Sequence, residues 1–166
     1  MKTLRVIAGS LTVLAIFTLA HPAIAAADDQ QDISDVEHKL AAATTTDEAI
    51  KYYDSGDDVT LFDMSGPPRE YEGQKAIRAD FDKGFNGLKD LKVEFVELKV
   101  VTDGKFGFAR SVQHFTAKTA DGKPVDITFR QTDVLHKVNG EWKIMHQHIS
   151  VPVNLKTGQA DMSSKM

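Results

Sequence analysis

The chain has 166 residues, with 20 lysines and arginines against 24 acidic residues, a formal net charge of −4 and no cysteine. An acidic chain without a basic stripe argues against nucleic acid as a partner. The lack of cysteine excludes disulfides, cysteine nucleophiles and cysteine metal sites, so stability must come from the packing of one compact domain.

The N-terminal segment has the composition of a secretory signal. Lys2 and Arg5 precede an apolar stretch over residues 6–19, and Ala23-Ile24-Ala25 follows as a small-x-small cleavage site. Ala25-Ala26-Ala27 is a second candidate site. We therefore expect a periplasmic or secreted protein with no membrane contact after cleavage, divided into a signal over residues 1–25, a domain over 26–153 and a loose tail over 154–166.

Three helices are predicted in the first half of the mature chain. Apolar residues at helical spacing mark the first helix over residues 32–43. Thr45, followed three residues later by Glu48, is a capping box that opens a second helix through about Tyr53. Gly73 precedes the third helix, which Asn86-Gly87 ends. Between the second and third helices, residues 59–63 and 69–71 read as two short strands around a Ser-Gly-Pro-Pro break.

The second half predicts a meander of four long strands. Asp103-Gly104, Asp121-Gly122 and Asn139-Gly140 each lie between alternating runs, as in hairpin turns. Helices followed by consecutive strands predict an α+β fold, with the helices on one face of an antiparallel sheet.

Two-residue turns at all three hairpins would fix the register of the meander. They would pair Leu135 with Ile144 and Gln131 with His148, and would set one charged row across four strands. That row comprises Glu97, Arg110, Asp133 and His146. It lies among apolar residues on the face predicted to line a cavity, where charges need partners, so it is either a polar wall of a pocket or a structural ladder of ion pairs.

The opposite sheet face is predicted to be too apolar to remain exposed. We expect it to form a homodimer through this convex face by a two-fold contact. The residues assigned to it are Val96, Leu98, Val100, Gly107, Ala109, Phe115, Val134, Met145 and Ile149.

Several segments together resemble the nuclear transport factor 2-like superfamily, in particular its SnoaL-like and ketosteroid-isomerase-related branch. They include Val59-Thr-Leu-Phe-Asp-Met-Ser-Gly-Pro-Pro68, Tyr71-Glu-Gly73, Phe108-Ala-Arg-Ser111, Arg130-Gln-Thr-Asp-Val134, Gly140-Glu-Trp-Lys-Ile144 and His146-Gln-His-Ile-Ser-Val-Pro152. The resemblance implies a cone of three helices on a curved sheet that encloses a pocket, often as a dimer. Gly140-x-Trp142 and His146-x-His148-x-Ser150 are also similar to the association domain of calcium/calmodulin-dependent kinase, which is an assembly module.

The resemblance also implies roles for two carboxylates. Asp63 matches the general base of ketosteroid isomerase, and Asp133 lies near the position of its protonated oxyanion-hole acid. The tyrosine that this family places on the first helix has no counterpart within residues 32–43.

Two functions follow from the sequence. The first is an acid–base enzyme of isomerase or cyclase type on a small apolar, carbonyl-containing ligand, with Asp63 as base, His146 as proton donor oriented by Asp133, and Arg110 as anchor for negative charge. The second is a non-catalytic ligand-binding or assembly module. The expected ligand contacts are Glu97, Arg110, His114, Gln131, Trp142 and His148.

A metal at His146-x-His148 would need a third ligand, such as His114 or Asp133. The predicted register keeps His114 two strands away from His148, so we predict no metal and no other cofactor.

Overall fold

A computed structural model describes residues 22–65 and 70–162, with side chains from residue 28 onward. The predicted signal therefore lies mostly outside the described residues. Within them the chain is α+β, and no helix is long and apolar enough to cross a membrane. Its helices are α1 (Pro22–Ala41), α2 (Thr46–Ala49), continued by a 3-10 turn (Ile50–Tyr52), and α3 (Gln74–Gly87).

One six-stranded sheet packs against these helices. Its strands are β1 (Thr60–Phe62), β2 (Glu70–Glu72), β3 (Leu88–Thr102), β4 (Phe106–Thr119), β5 (Pro124–Val138) and β6 (Glu141–Ser150). They lie in the order β2-β1-β6-β5-β4-β3, antiparallel except for the parallel pair β1 and β6. The predicted fold class is therefore confirmed.

The helix boundaries follow local chemistry. The backbone of α1 begins ten residues before the predicted start, where Pro22 and an alanine-rich stretch favour a helical first turn. The Thr45 hydroxyl accepts a hydrogen bond from the Glu48 N–H, as the capping box predicts. The Glu48 carboxylate reaches back to the Thr44 N–H at 2.8 Å, one residue earlier than in the standard box.

The hairpin at Asn139-Gly140 keeps its predicted register only as far as Leu135 opposite Ile144. The register then shifts at Met145, an extra residue in β6, so that Val134 pairs with His146 and Asp133 with Gln147. The predicted pairs of Asp133 with His146 and of Gln131 with His148 are wrong for this reason.

The other two turns are longer than predicted. Three residues, Ala120 to Gly122, connect Thr119 to Lys123, and this one-residue shift pairs Arg110 with Thr132 instead of Asp133. Four residues connect Thr102 to its partner Gly107, so that Glu97 pairs with Val112. The four-strand charged row therefore does not form.

Two faces of the sheet result. The inner face, towards the helices, carries Leu98, Val100, Gly107, Ala109, Ser111, Gln113, Phe115, Phe129, Gln131, Asp133, Leu135, Trp142, Ile144, Gln147 and Ile149. Residues that alternate along the strands with those of the inner face point to the outer face. They include Glu97, Phe108, Arg110, His114, Val134, His146 and His148. Six residues assigned from the sequence to a dimer face thus belong to the inner face: Leu98, Val100, Gly107, Ala109, Phe115 and Ile149.

The last described residues return to the sheet. Val153 forms an isolated bridge with Ala160, and the Thr128 N–H donates to the Met162 carbonyl at 2.9 Å. β6 ends at Ser150, opposite Arg130, so this contact lies where β5 extends beyond its neighbour.

The close approach of α1 to β4 depends on Gly107. Ile33 is fully buried in the core, and a Cβ on Gly107 would lie 2.4 Å from the Ile33 Cδ1 atom and 3.4 Å from the Trp142 ring. α1 can lie this near the sheet only because residue 107 has no side chain.

Gly107→Ala is expected to lower the free energy of unfolding by about 1–3 kcal/mol, because the methyl group overpacks the α1–sheet contact. Denaturant unfolding measures the change. Gly84→Ala is the control, since a Cβ there meets nothing within 4 Å and alanine favours the α3 helix. Equal effects of the two substitutions would contradict the close-packing argument.

Candidate functional site

The helices and the inner sheet face enclose two neighbouring chambers. The inner chamber has a volume of about 260 Å³ and the outer chamber about 590 Å³. Both contact a set of apolar residues: Phe81, Phe85, Leu88, Leu91, Phe115 and Ile149. A concave, mainly apolar cavity with a few polar groups is the usual form of a small-molecule site.

Two carboxylic acids meet beside the inner chamber, which Glu37 lines while Asp133 lies buried behind it. Glu37 comes from α1 and Asp133 from β5, and each is only 1% exposed. The Gln131 side-chain amide donates to Asp133 Oδ2 at 2.6 Å. Gln113 and Gln147 complete the polar lining.

The two acids are best described as sharing one proton. Among the described residues, Glu37 Oε1 and Asp133 Oδ1 have no hydrogen-bond partner when both groups are taken as acceptors. Burial, reinforced by the Asp133 charge, raises the pKa of Glu37 well above its usual range. A protonated Glu37 can donate to Asp133, which removes the repulsion between two buried acceptors.

The Asp133 carboxylate is the charged member of the pair. Burial raises the pKa of Asp133 to about 6, against hydrogen bonds from Gln131, Gln147 and Glu37 that favour ionisation. Of the two acids, Asp133 therefore ionises first, and Glu37 is the one that keeps its proton to higher pH. We call these two residues the acid pair.

Tyr53 brings a hydroxyl group to the same chamber. Its side chain is 2% exposed and packs edge-on against Phe81, with 5.4 Å between the ring centroids. Its hydroxyl has no hydrogen-bond partner of normal geometry in the described part of the chain, although the Gln147 side chain lies nearby. Burial and then the Asp133 charge raise the pKa of Tyr53 further, so the phenol keeps its proton as a donor.

Asp63, the predicted base, lines the outer chamber. It follows β1, and its carboxylate accepts from the Met64 N–H at 2.7 Å and from the Ser65 hydroxyl. Asp80 and Tyr71 lie in the same chamber. Burial, and to a lesser extent the Asp63 charge, raises the pKa of Asp80, and a hydrogen bond to Asp80 raises the pKa of Tyr71.

Gln131 and Trp142 lie on the inner face, as predicted. Gln131 lines the inner chamber and binds Asp133. Trp142 instead packs near the first turns of α1, where its indole N–H donates to Asp29 Oδ1 at 3.2 Å and Lys137 also binds Asp29. Only Gln131 of this pair contacts the cavity.

The two histidines of β6 lie on the outer face. His146 Nδ1 is 2.6 Å from the Thr60 hydroxyl, and the Phe62 ring packs edge-on against both imidazoles. Burial, and then the neighbouring His148, lowers the pKa of His146. The sheet therefore separates His146 from Asp133, contrary to the predicted donor role.

The remaining predicted contacts are also on the outer face. Arg110 is half-exposed and lies 3.6 Å from Glu97, a diagonal contact that survives the change in register. His114 Nε2 is 2.9 Å from Asp126 Oδ1. Arg110 therefore cannot anchor negative charge in the cavity.

Sequence reasoning missed Glu37, Tyr53 and Gln147. A signal for Glu37 was present, because Ile33, Glu37 and Leu40 fall at i, i+4 and i+7 on the buried side of α1. No comparable signal marks Gln147, which reaches the inner face only through the extra residue in β6.

The fold agrees with comparisons to known proteins. The model of the SnoaL-like domain family matches residues 34–154. The chain belongs to the SnoaL-like family. No curated protein matches it.

Solved structures share the fold of this chain at low sequence identity. A nuclear transport factor 2-like protein of unknown function from Pseudomonas putida has a TM-score of 0.73 at 19% identity, over 84% of this chain and 98% of its own. A candidate scytalone dehydratase from Novosphingobium aromaticivorans has a TM-score of 0.68 at 11% identity, over 76% of this chain and 86% of its own. A candidate association domain of calcium/calmodulin-dependent protein kinase II from Xanthomonas campestris has a TM-score of 0.58 at 22% identity, over 77% of this chain and 84% of its own.

Glu37→Gln is expected to stabilise the protein at pH 8 by about 1–3 kcal/mol and to have little effect below pH 4.5. The folded chain holds the Glu37 proton more tightly than the unfolded chain, so the native acid costs stability as the pH rises above its unfolded pKa. Glutamine removes this cost and can still donate to Asp133. Thermal unfolding between pH 4 and pH 8 measures the difference, with the exposed Glu141→Gln as control. A Glu37→Gln effect that is independent of pH would contradict the shared proton.

Proposed function

We propose that this chain binds a small, mainly apolar molecule in the inner chamber and exchanges a proton with it through the acid pair. The observation that supports this most directly is the acid pair, whose Glu37 lines an apolar cavity beside a buried tyrosine hydroxyl with no partner of normal geometry. Buried polar groups without partners are costly, and a ligand can provide the missing contacts.

The acid pair could act in both directions of a proton transfer. Glu37, which lines the chamber, would give its proton to the bound molecule and take one back, and Asp133, held by Gln131 and Gln147, would act through Glu37 from behind. Tyr53 can donate to an oxygen of the bound molecule. These roles support an isomerase- or cyclase-type reaction, the class expected from the sequence, with the acid pair in place of His146.

Asp63, expected from the sequence to be the general base, is proposed here as a second base. It lies in the outer chamber, which adjoins the inner one along Phe81 and Phe85. A ligand that extends through both chambers would have the acid pair at one end and Asp63 nearer the other. The structural likeness to a candidate scytalone dehydratase favours acid–base chemistry of this kind.

We also propose that the chain is exported to the periplasm or secreted. Cleavage after Ala25 or Ala27 would remove the first residues of α1 and would leave Asp29 in place. Asp29 contacts Lys137 and Trp142, so it would fasten the shortened helix to β5 and β6.

Cyclohexanone and cyclohexanol are suitable neutral probes for the pocket. In two-dimensional NMR titrations we expect both to shift the signals of inner-chamber residues, and Tyr53→Phe to weaken binding about fivefold through the lost hydrogen bond. Proton transfer is measured as loss of deuterium from the α-carbons of labelled cyclohexanone. Glu37→Gln should abolish any acceleration over buffer while binding survives.

Asp121→Asn, in a solvent-exposed turn, is the matched control and should leave binding and exchange unchanged. Failure of every small cyclic probe, neutral or charged, to reach the inner chamber would contradict the binding proposal. Binding without exchange would restrict the proposal to a non-catalytic ligand-binding domain.

A second candidate function, assembly through the outer face, has its own support. Val101, Phe106 and Phe108 are 63%, 55% and 42% exposed, and Val101 pairs directly with Phe108 across β3 and β4. Exposed apolar residues in contact with one another are typical of interaction surfaces. We propose a homodimer through this face, with these residues in place of those expected from the sequence. The likeness to a candidate kinase association domain favours assembly.

Phe108→Lys is expected to convert a dimer into a monomer, because it would place two like charges in a two-fold apolar contact. Native mass spectrometry and light scattering measure the mass, with Lys123→Ala in the β4–β5 turn as control. A monomeric parent protein, or a Phe108→Lys protein that remains dimeric, would contradict this interface.

A further inference from the structure

The inner chamber has an unusual combination of charge and lining. Its acid pair carries a negative charge near pH 7, yet the described residues that line the chamber include no lysine, arginine or histidine. Buried charges in proteins are normally paired with an opposite charge. Asp133 has hydrogen bonds from side-chain amides but no cationic partner among the described residues that surround it.

The walls of this chamber are aromatic. Five rings line it: Tyr53, Phe81, Phe85, Phe115 and Phe129. Aromatic faces attract cations through the ring quadrupole, and the attraction grows when the cation is desolvated. A buried carboxylate beside several aromatic rings is the combination that recognises an ammonium group.

Two groups mark where such a cation would be held. Glu37 and Tyr53 are each at least nine-tenths buried and line the chamber. The Tyr53 hydroxyl has no hydrogen-bond partner of normal geometry in the described chain, and a Glu37 carboxyl that donates its proton to Asp133 still has acceptor lone pairs. An ammonium group has three donors and no acceptor, so it could bind both oxygens. A carboxylate would meet the charge of Asp133 without a compensating cation.

We infer that the molecule bound in the inner chamber is an apolar amine in its protonated form, with its ammonium group at Glu37 and Tyr53 and its hydrocarbon part against the aromatic walls. This inference rests on the proposed binding function and narrows it to one ligand class. The sequence predicts a carbonyl-containing ligand whose negative charge is held by Arg110. Arg110 lies on the outer face, so it cannot hold such a charge in the inner chamber. In the inner chamber the fixed charge has the opposite sign.

Three probes with the same hydrocarbon ring test the charge preference on the full chain. They are cyclohexylamine, which is cationic at neutral pH, cyclohexanol, which is neutral, and cyclohexanecarboxylate, which is anionic. We expect cyclohexylamine to bind at least about tenfold more tightly than cyclohexanol, from the charge-assisted hydrogen bonds and the aromatic contacts. Cyclohexanecarboxylate should bind most weakly. NMR titration at pH 7.5 gives each affinity and locates the site.

The isosteric double variant Glu37→Gln/Asp133→Asn removes the charge and keeps the shape of the pocket. We expect it to lose the preference for the amine, to within about threefold of the alcohol, and to bind the carboxylate better than the parent does. The gain in carboxylate binding cannot result from misfolding. The Asp121→Asn control should bind the three probes in the same order of affinity as the parent protein.

The outcomes separate this inference from the proposed function. Cyclohexanol binding as tightly as the amine, or more tightly, would overturn the amine inference and leave the pocket as a site for neutral ligands. Failure of all three probes to perturb the inner chamber would overturn both proposals. An amine preference that persists in the double variant would place the recognition elsewhere and would also overturn the inference.

Discussion

One extra residue in β6 decides which side chains reach the cavity. Side chains alternate between the two faces of a strand, so the register shift at Met145 reverses the orientation of every residue that follows it in β6. His146 and His148 turn outward, and Gln147 turns inward to Asp133. Gln147 joins Glu37, Gln113 and Gln131 in the polar lining of the cavity because of this shift. An uninterrupted strand would place an imidazole beside the aspartate and would make a different site.

A second constraint acts from the helical side of the domain. Ile33, one turn before Glu37 on α1, packs directly over Gly107, where a side chain would clash with it. Burial in this narrow space then favours the protonated form of one acid. Gly107 thus makes room for Ile33 of α1, and the register shift at Met145 brings Gln147 to Asp133.

The elements of this fold could be predicted from sequence, whereas the orientation of its side chains could not. Turn residues, the Thr45 cap and helical spacing are local signals, and they located all three helices and the six strands. Side-chain orientation in a sheet depends on the exact number of residues in each turn and bulge. One additional residue in the β4–β5 turn separated Arg110 from Asp133, and one in β6 separated His146 from it. Asp133 and Gln131 were assigned to the correct face because β5 itself has no irregularity there. Glu37 was missed because a charged residue on a buried helix face was not treated as a signal.

The hydrogen bond between Thr128 and Met162 bears on the tendency of the protein to aggregate in concentrated solution. A strand that extends beyond its neighbour exposes backbone N–H and C=O groups, which can pair with another molecule and begin aggregation. β5 extends in this way past the end of β6, and the C-terminal residues return to occupy part of the open edge. The segment that ends at Met162 therefore covers backbone groups of β5 that could otherwise pair with another molecule.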